Sequence, residues 1–359
     1  MRKIVTIIGA RPQFIKAATV SRALKKISEL NEIIIHTGQH FDDNMSEIFF
    51  REMEIPKPAY NLNINGLSHG AMTGQMLEGI EKILVSEKPN LVMVYGDTNS
   101  TLAGALAASK LHIKVAHVEA GLRSFNYKMP EEINRILTDR ISNILFVPTD
   151  TAIKNLEAEG FKNFPSVIVK NGDVMQDAAM YYAKTSEQHS KIISQLGLKQ
   201  FVLATLHRQE NTDDISVLTR LLNSLNKINK EIPVLVPLHP RTKKILAQQN
   251  LKAEFKIIDP VGYFDMIELL KNCSLVMTDS GGLQKEAFFF QKHCITLREQ
   301  SEWVELEQHD FNRVVGSDEN KIQSAYEYFR NKKSDFNINL YGNGKASKVI
   351  VNYLAENLK

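Results

Sequence analysis

Short runs of Val, Ile and Leu alternate along this chain with longer stretches whose apolar positions recur every three or four residues. Runs at residues 3–8, 32–36, 91–95, 114–118 and 144–147 predict strands. Between them the spacing predicts helices from the first strand through residue 26, around 43–53, and over 69–87, 101–110 and 131–141. The second half repeats the pattern, with strands at 201–205, 234–237, 255–258, 275–277 and 294–297 and a last helix over 345–357. Strands that are apolar throughout and separated by helices imply parallel, doubly wound α/β sheets covered on both faces. Two such sheets, joined near residues 170–176, are expected to face each other across a cleft. The first domain is expected over 1–170 and the second over 171–344, with the helix at 345–359 docking back on the first.

Length supports that division, because 359 residues are too many for one ordinary core. A hydrophobic content of 43% and a charged content of 24% describe a soluble globular protein. A net charge of +3 without a dense Lys/Arg block excludes nucleic acid as the expected partner. The two cysteines, Cys273 and Cys294, cannot build a disulfide framework and have no metal-ligand spacing, which fits a reducing cytoplasm. The apolar start runs into Arg11 and Lys16 without a small-residue cleavage site, so it reads as a strand rather than a signal peptide. No window approaches about 18 uncharged apolar residues, so no membrane span is expected.

Ligands of open parallel sheets bind beyond the carboxyl ends of strands, so the residues after each strand carry the candidate chemistry. Those ends present Asp97, Glu119, Glu131 and His207, together with Arg11, Lys16, Arg123, Arg135 and Arg241. Carboxylates and a histidine facing a basic rim suit acid–base chemistry on an anionic substrate. Plainer readings exist for single residues. Glu131 and Glu132 after Pro130 suit any helix N-terminus, Asp97 could cap its helix, and His117 inside its strand reads as a satisfied core histidine. Recurrence at one structural position favours function for the set.

A second feature is the turn Asp279-Ser280-Gly281-Gly282, which leads from a strand into a helix. Two glycines let backbone amides approach a ligand closely, at a helix N-terminus that favours an anion, as a diphosphate cradle requires. Glu286, one turn in, suits two ribose hydroxyls. An ordinary turn capped by Ser280 is the alternative. No Gly-x-Gly-x-x-Gly follows a strand, and P-loop, zinc and Gly-x-Ser-x-Gly patterns are missing, which leaves a nucleotide-linked substrate with no redox cofactor or obvious metal.

Gly9-Ala10-Arg11-Pro12, Gly96-Asp97-Thr98, His117-Val118-Glu119-Ala120-Gly121-Leu122-Arg123, Pro130-Glu131-Glu132-x-Asn134-Arg135, His207-Arg208-x-Glu210-Asn211, Asp279-Ser280-Gly281-Gly282 and Tyr341-Gly342-Asn343-Gly344 resemble the non-hydrolysing UDP-N-acetylglucosamine 2-epimerases, collinearly and nearly end to end. The resemblance implies two Rossmann-like domains of the GT-B type, an active site in the interdomain cleft, a homodimer, a cytoplasmic location and no cofactor. It also implies a route in which UDP is eliminated across C1 and C2, a 2-acetamidoglucal is held, and UDP adds back with the proton on the opposite face. Carried over by motif, Asp97, Glu119 and Glu131 are the acid–base groups, and His207 with Arg11 steadies the leaving diphosphate. Lys16 and Arg135 line the same site, and Ser280, Gly281, Gly282 and Glu286 hold the UDP.

The chain departs from the commonest family pattern at Gln13, at Asn171-Gly172-Asp173, at Ser301-Glu302-Trp303-Val304-Glu305, and at Gly66-Leu67-Ser68-His69-Gly70, which lacks a regulatory arginine. These variants resemble the branch acting on UDP-2,3-diacetamido-2,3-dideoxy-glucuronate, whose manno epimer serves surface polysaccharide. Neutral Gln13, in place of the usual glutamate, would remove a charge opposing a uronate carboxylate. UDP-N-acetylglucosamine is the alternative substrate, and substrate activation is not expected. A GT-B glycosyltransferase shares fold and cradle and is the alternative of another class, and a hydrolysing relative is a third.

Overall fold

Both faces of the central strands are covered, which is why their sequences read as unbroken apolar runs rather than alternating ones. In the second half Val202, Ala204, Val234, Val236, Leu275 and Met277 join one buried cluster, while Leu203, Leu235 and Val276 join another. In the first half Val5, Ile7, Val92, Val94 and Val115 share one core. The computed structural model describes residues 1–39, 50 and 53–358, and the helix expected around 43–53 falls almost entirely outside that set. The chain forms two units, residues 1–178 with 339–359, and residues 179–338.

The first unit runs β1 (Arg2–Ile8), α1 (Arg11–Leu24), β2 (Leu30–His36), β3 (Tyr60–Asn61), α2 (His69–Glu87), β4 (Leu91–Tyr95), α3 (Asn99–Lys110), β5 (Lys114–Val118), α4 (Pro130–Ile141), β6 (Ile144–Val147), α5 (Asp150–Ala158) and β7 (Val167–Lys170). Its sheet has the order β3-β2-β1-β4-β5-β6-β7 and is parallel throughout, with Ile7 beside both Ile35 and Val94. Thr98 sets the start of α3, its hydroxyl accepting from the Thr101 N–H at 3.3 Å, two residues earlier than the apolar spacing predicts.

Helix α6 (Val174–His189) spans the division between units and leads through α7 (Ile192–Leu196) into the second sheet. There follow β8 (Val202–Thr205), α8 (Gln209–Thr212), α9 (Ile215–Asn229), β9 (Val234–Pro237), α10 (Pro240–Gln248), β10 (Lys256–Ile258), α11 (Tyr263–Asn272), β11 (Leu275–Thr278), α12 (Gly281–Phe289), β12 (Cys294–Thr296), α13 (Val304–Gln308), β13 (Asn312–Val314) and α14 (Glu319–Phe329). The order β10-β9-β8-β11-β12-β13, again parallel, repeats the doubly wound plan.

The chain then returns to the first unit as α15 (Ala346–Asn357). Both ends of this helix are held there. Asp177 accepts from the Ala346 and Ser347 N–H groups at 3.0 and 2.7 Å, and Arg2 Nη1 donates to the Ala355 and Leu358 carbonyls at 2.7 and 2.5 Å. No helix among the described residues is long and apolar enough to cross a membrane.

Candidate active site

In each sheet the strand order reverses between two neighbours, β1 and β4 in the first and β8 and β11 in the second, the point beyond whose carboxyl ends open α/β sheets bind ligands. In the first unit Gln13 stitches that point together. Its Oε1 accepts from the Gly9 and Ala10 N–H groups at 2.8 and 3.0 Å, and its Nε2 donates to the Tyr95 carbonyl at 2.9 Å and Thr101 Oγ1 at 3.0 Å. The side chain is buried with all its hydrogen-bonding capacity spent inside the protein. Gln13 thus ties the ends of β1 and β4 to the start of α3 through the Gly9, Ala10 and Tyr95 backbone and the Thr101 hydroxyl.

Around this knot the first unit assembles cations and carboxylates in pairs. Asp97, just beyond β4, pairs with Arg135, whose other nitrogen Nη1 donates to Glu132 Oε2 at 3.0 Å. Asn134 Nδ2 holds the Asp97 carbonyl at 2.9 Å. Glu119, just beyond β5, pairs with Lys16, and both side chains are nearly buried. A Cβ built on Gly96 would lie 3.1 Å from Lys16 Nζ and 3.4 Å from Glu119 Oε2, so the β4 loop presses against that pair. Glu119 itself adopts φ +73°, a left-handed conformation that costs a non-glycine residue about 1–3 kcal/mol and marks a constrained position.

Glu131 sits partly exposed in the first turn of α4, and Arg11 partly exposed at the first position of α1. Glu132 is a structural carboxylate, fully buried and accepting from Ser124 N, Ser124 Oγ and Phe125 N as well as Arg135.

Of the expected basic rim, Arg123 is buried within the first unit, whereas Arg241 stays beyond the end of β9. Arg123 is buried against Asp139 and Glu159, and Arg241 forms a half-exposed pair with Asp213 at 2.6 Å. His117 is the satisfied core histidine its strand position predicts, with Asp139 Oδ1 and the Gly96 carbonyl each 2.7 Å from a ring nitrogen.

In the second unit the centre is Asp279, fully buried at the end of β11. Its Oδ2 accepts from the N–H groups of His207 and Arg208 at 3.0 Å and from Asn211 Nδ2 at 3.1 Å, and its Oδ1 lies 2.9 Å from His207 Nδ1. Burial pushes this carboxyl up, but the His207 charge and hydrogen bond, with the backbone donors, outweigh it and hold Asp279 below its ordinary value. The His207 ring stays half exposed, presented from the end of β8.

Beyond Asp279, Ser280 caps α12 by accepting from the Leu283 N–H at 3.4 Å. Gly281 and Gly282, at the first two positions of the helix, have N–H groups with no intrahelical partner. A Cβ on Gly281 would come within 2.7 Å of Glu302 Oε1, whereas one on Gly282 would meet nothing within 4 Å. Glu286 is buried one turn further in.

In the sequence Asp279 is a motif position with no part of its own, and Asp139 belongs to no motif. The available signal for Asp139 was its i,i+4 spacing from Arg135 on the polar face of α4, which is the buried face. Among the described residues no group of three His, Cys, Asp or Glu side chains is placed to hold a metal ion. The first unit thus offers paired proton-transfer groups, and the second a histidine and an open helix N-terminus suited to an anion.

Comparison with known proteins gives one family. A model described as UDP-N-acetylglucosamine 2-epimerase matches residues 22–355. The UDP-2,3-diacetamido-2,3-dideoxy-D-glucuronate 2-epimerase of Pseudomonas aeruginosa is 56% identical over 99% of both chains. The crystal structure of the Methanocaldococcus jannaschii UDP-GlcNAc 2-epimerase in complex with UDP-GlcNAc and UDP superposes with TM-score 0.92 at 44% identity over 99% of each chain. The Neisseria meningitidis enzyme bound to UDP-GlcNAc gives 0.86 at 30% identity, covering 99% of this chain and 100% of that one.

Proposed function

This chain belongs to the UDP-N-acetylglucosamine 2-epimerase family of isomerases, and on that premise we propose that it inverts C2 of a UDP-linked 2-acetamido sugar by elimination and re-addition of UDP. The C2 proton leaves to a protein base while the C1–O bond to the diphosphate breaks, giving UDP and a 2-acetamidoglucal. UDP oxygen then attacks C1 again, and a proton arrives at C2 on the opposite face. Asp97, Glu119 and Glu131 serve as the proton-transfer groups. Lys16 pairs with Glu119 and Arg135 with Asp97, while Arg11 and His207 meet the departing diphosphate. Ser280, Gly281 and Gly282 cradle the phosphates, and Glu286 takes the ribose.

The observation that carries this reading is the placement of Asp97 and Glu119, each salt-bridged to a cation, at the carboxyl ends of adjacent strands β4 and β5. The substrate we propose is UDP-2,3-diacetamido-2,3-dideoxy-glucuronate, yielding the mannuronate epimer for surface polysaccharide, a choice that the Pseudomonas aeruginosa relative supports. UDP-N-acetylglucosamine is the second reading, favoured by the Methanocaldococcus jannaschii one.

A proton NMR time course in deuterated buffer, with each sugar supplied separately, tests both. Epimer carrying deuterium at C2 from the uronate alone is the expected result. The same outcome from UDP-N-acetylglucosamine alone would transfer the reaction to that substrate, and no exchange at C2 with either would refute the reading. We also propose a cytoplasmic homodimer. Ile133 and Leu137, exposed on α4, offer apolar surface for such a contact, and light scattering at the mass of a single chain would exclude it.

A further inference from the structure

Beneath the loops that carry Asp97 and Glu119 lies a charged cluster shielded from solvent. Asp139 on α4 and His117 on β5 have no exposed surface, and Arg123 is 3% exposed. Asp139 receives three donors: a ring nitrogen of His117 at 2.7 Å on one oxygen, and on the other the Gly121 N–H at 3.1 Å and Arg123 Nη1 at 2.8 Å. The remaining ring nitrogen of His117 lies 2.7 Å from the Gly96 carbonyl, which can only accept. Arg123 closes the cluster on Glu159, with Nε and Nη2 donating to its two oxygens at 2.6 and 2.8 Å.

A neutral imidazole beside an ionised Asp139 would turn a lone pair toward one of these oxygens. With His117 as an imidazolium every close contact runs from donor to acceptor, and two cations face two carboxylates. Moving the proton to Asp139 would leave Arg123 and the Gly121 N–H donating to a neutral carboxyl, a weaker arrangement. Burial acts against the Asp139 carboxylate, but the His117 hydrogen bond and charge, with Arg123, overcome it and keep this group below the ordinary range.

The contacts made by this cluster are the informative part. Gly96 immediately precedes Asp97, and Gly121 follows Glu119 by two residues. Gly96, Glu119 and Gly121 all have positive φ, at 63°, 73° and 81°. Glycine takes such a φ freely, so of the three only Glu119 is strained, and a residue held in that way persists only where surrounding structure fixes it. Asp139 grips both loops, at Gly121 directly and at Gly96 through His117.

We propose that Asp139 and His117 form a positioning pair, with His117 standing as a buried imidazolium, that fixes the loops of Asp97 and Glu119 relative to each other for proton transfer at C2. The inference rests on the epimerase reading for what those two carboxylates do, and on geometry alone for how they are held.

Wild-type protein labelled with ¹⁵N-histidine, examined by NMR at about pH 8 where an ordinary histidine is neutral, tests the charge. One histidine, missing from His117→Gln, should show both ring nitrogens protonated. Asp139→Asn tests the positioning, with UDP-binding stoichiometry counting folded molecules. Per folded molecule its kcat should fall about 10- to 100-fold while KM and UDP affinity stay within about twofold, because only the geometry of proton transfer is disturbed. A purely structural role would lower the melting temperature and the folded fraction, leaving kcat per folded molecule unchanged.

A neutral His117 ring at that pH overturns the proposal, as does a folded Asp139→Asn whose kcat stays within about twofold of wild type. The NMR measurement needs neither a folded Asp139 variant nor substrate, so it decides the proposal even where that variant fails to fold. Inactivity of the wild type on both sugars would instead remove the epimerase reading.

Discussion

Replacing Gly282 by alanine separates the folding of the α12 turn from its use as a cradle. The glycine lies at the second position of the helix outside the left-handed region, and a Cβ built there meets no atom within 4 Å. The methyl therefore carries no steric cost in the free protein. Its helix propensity should leave stability unchanged or raise it by up to about 1 kcal/mol, about 2–4 °C in melting temperature for a unit of this size. Neighbouring Gly281 cannot serve, because its Cβ would strike Glu302 in the buried Glu302–Arg298 pair, made at 3.1 Å.

In the complex, the same methyl would stand in front of the first amides of the helix, where a diphosphate must approach. Loss of one charge-assisted hydrogen bond, about 1.5–3 kcal/mol, weakens UDP about 10- to 150-fold. Titration calorimetry with UDP, alongside thermal melts, measures both quantities. Gly74→Ala on the exposed side of α2, whose Cβ also meets nothing, is the control and should gain stability without changing UDP affinity. UDP binding by Gly282→Ala within about threefold of wild type would refute the cradle. A lowered melting temperature would refute the steric premise.

Other outcomes follow from the same geometry. Asp279→Asn should cost about 1.5–3 kcal/mol at pH 7, since its carboxylate serves backbone and charged donors. The folded Asp279 value is depressed, so this stability is present above the unfolded value near pH 4 and lost as pH falls through the folded one. The gap between wild type and variant in chemical denaturation should accordingly shrink below about pH 4, and a gap that widens there would contradict the assignment. Arg135→Lys cannot bridge Asp97 and Glu132 as a guanidinium does, so epimerisation should fall at least about tenfold with UDP affinity little changed; steady-state kinetics and calorimetry check this. Burial pushes the Cys273 thiol up to about 12 and raises Cys294 as well, so neither should react with a thiol reagent until the protein is denatured.

Strands β4, β5, β6 and β9 begin and end where the apolar runs do, because a central strand is buried on both faces and its sequence carries little else. Strands β3 and β13, which no apolar run announces, are sheet edges, as is β7, whose short Val167-Ile168-Val169 run is missing from the predicted strands. An edge has one neighbour and less cover, and the segments Tyr60–Asn61 and Asn312–Val314 need no apolar run to form it. Helix α4 reads backwards: Glu132, Asn134, Arg135, Thr138 and Asp139 are buried while Ile133 and Leu137 face outward. A spacing rule finds the stripe but assigns the wrong side to the interior, since the polar face is satisfied by partners from other elements.

By itself the sequence determined the doubly wound class, the strand ends at which chemistry gathers, and the family. Those follow from local periodicity and from collinear motifs, both of which are properties of one stretch of chain at a time. Only the tertiary structure decided that Lys16 pairs with Glu119 and Arg135 with Asp97, that Arg123 is buried under the site rather than on its rim, and that Gln13 is spent on backbone groups. Each of these is set by a partner 16 to 103 residues away along the chain, brought within hydrogen-bonding distance by the fold of the sheet and its helices. A buried polar group takes its function from the partners that satisfy it, and those partners exist only once the sheet has formed.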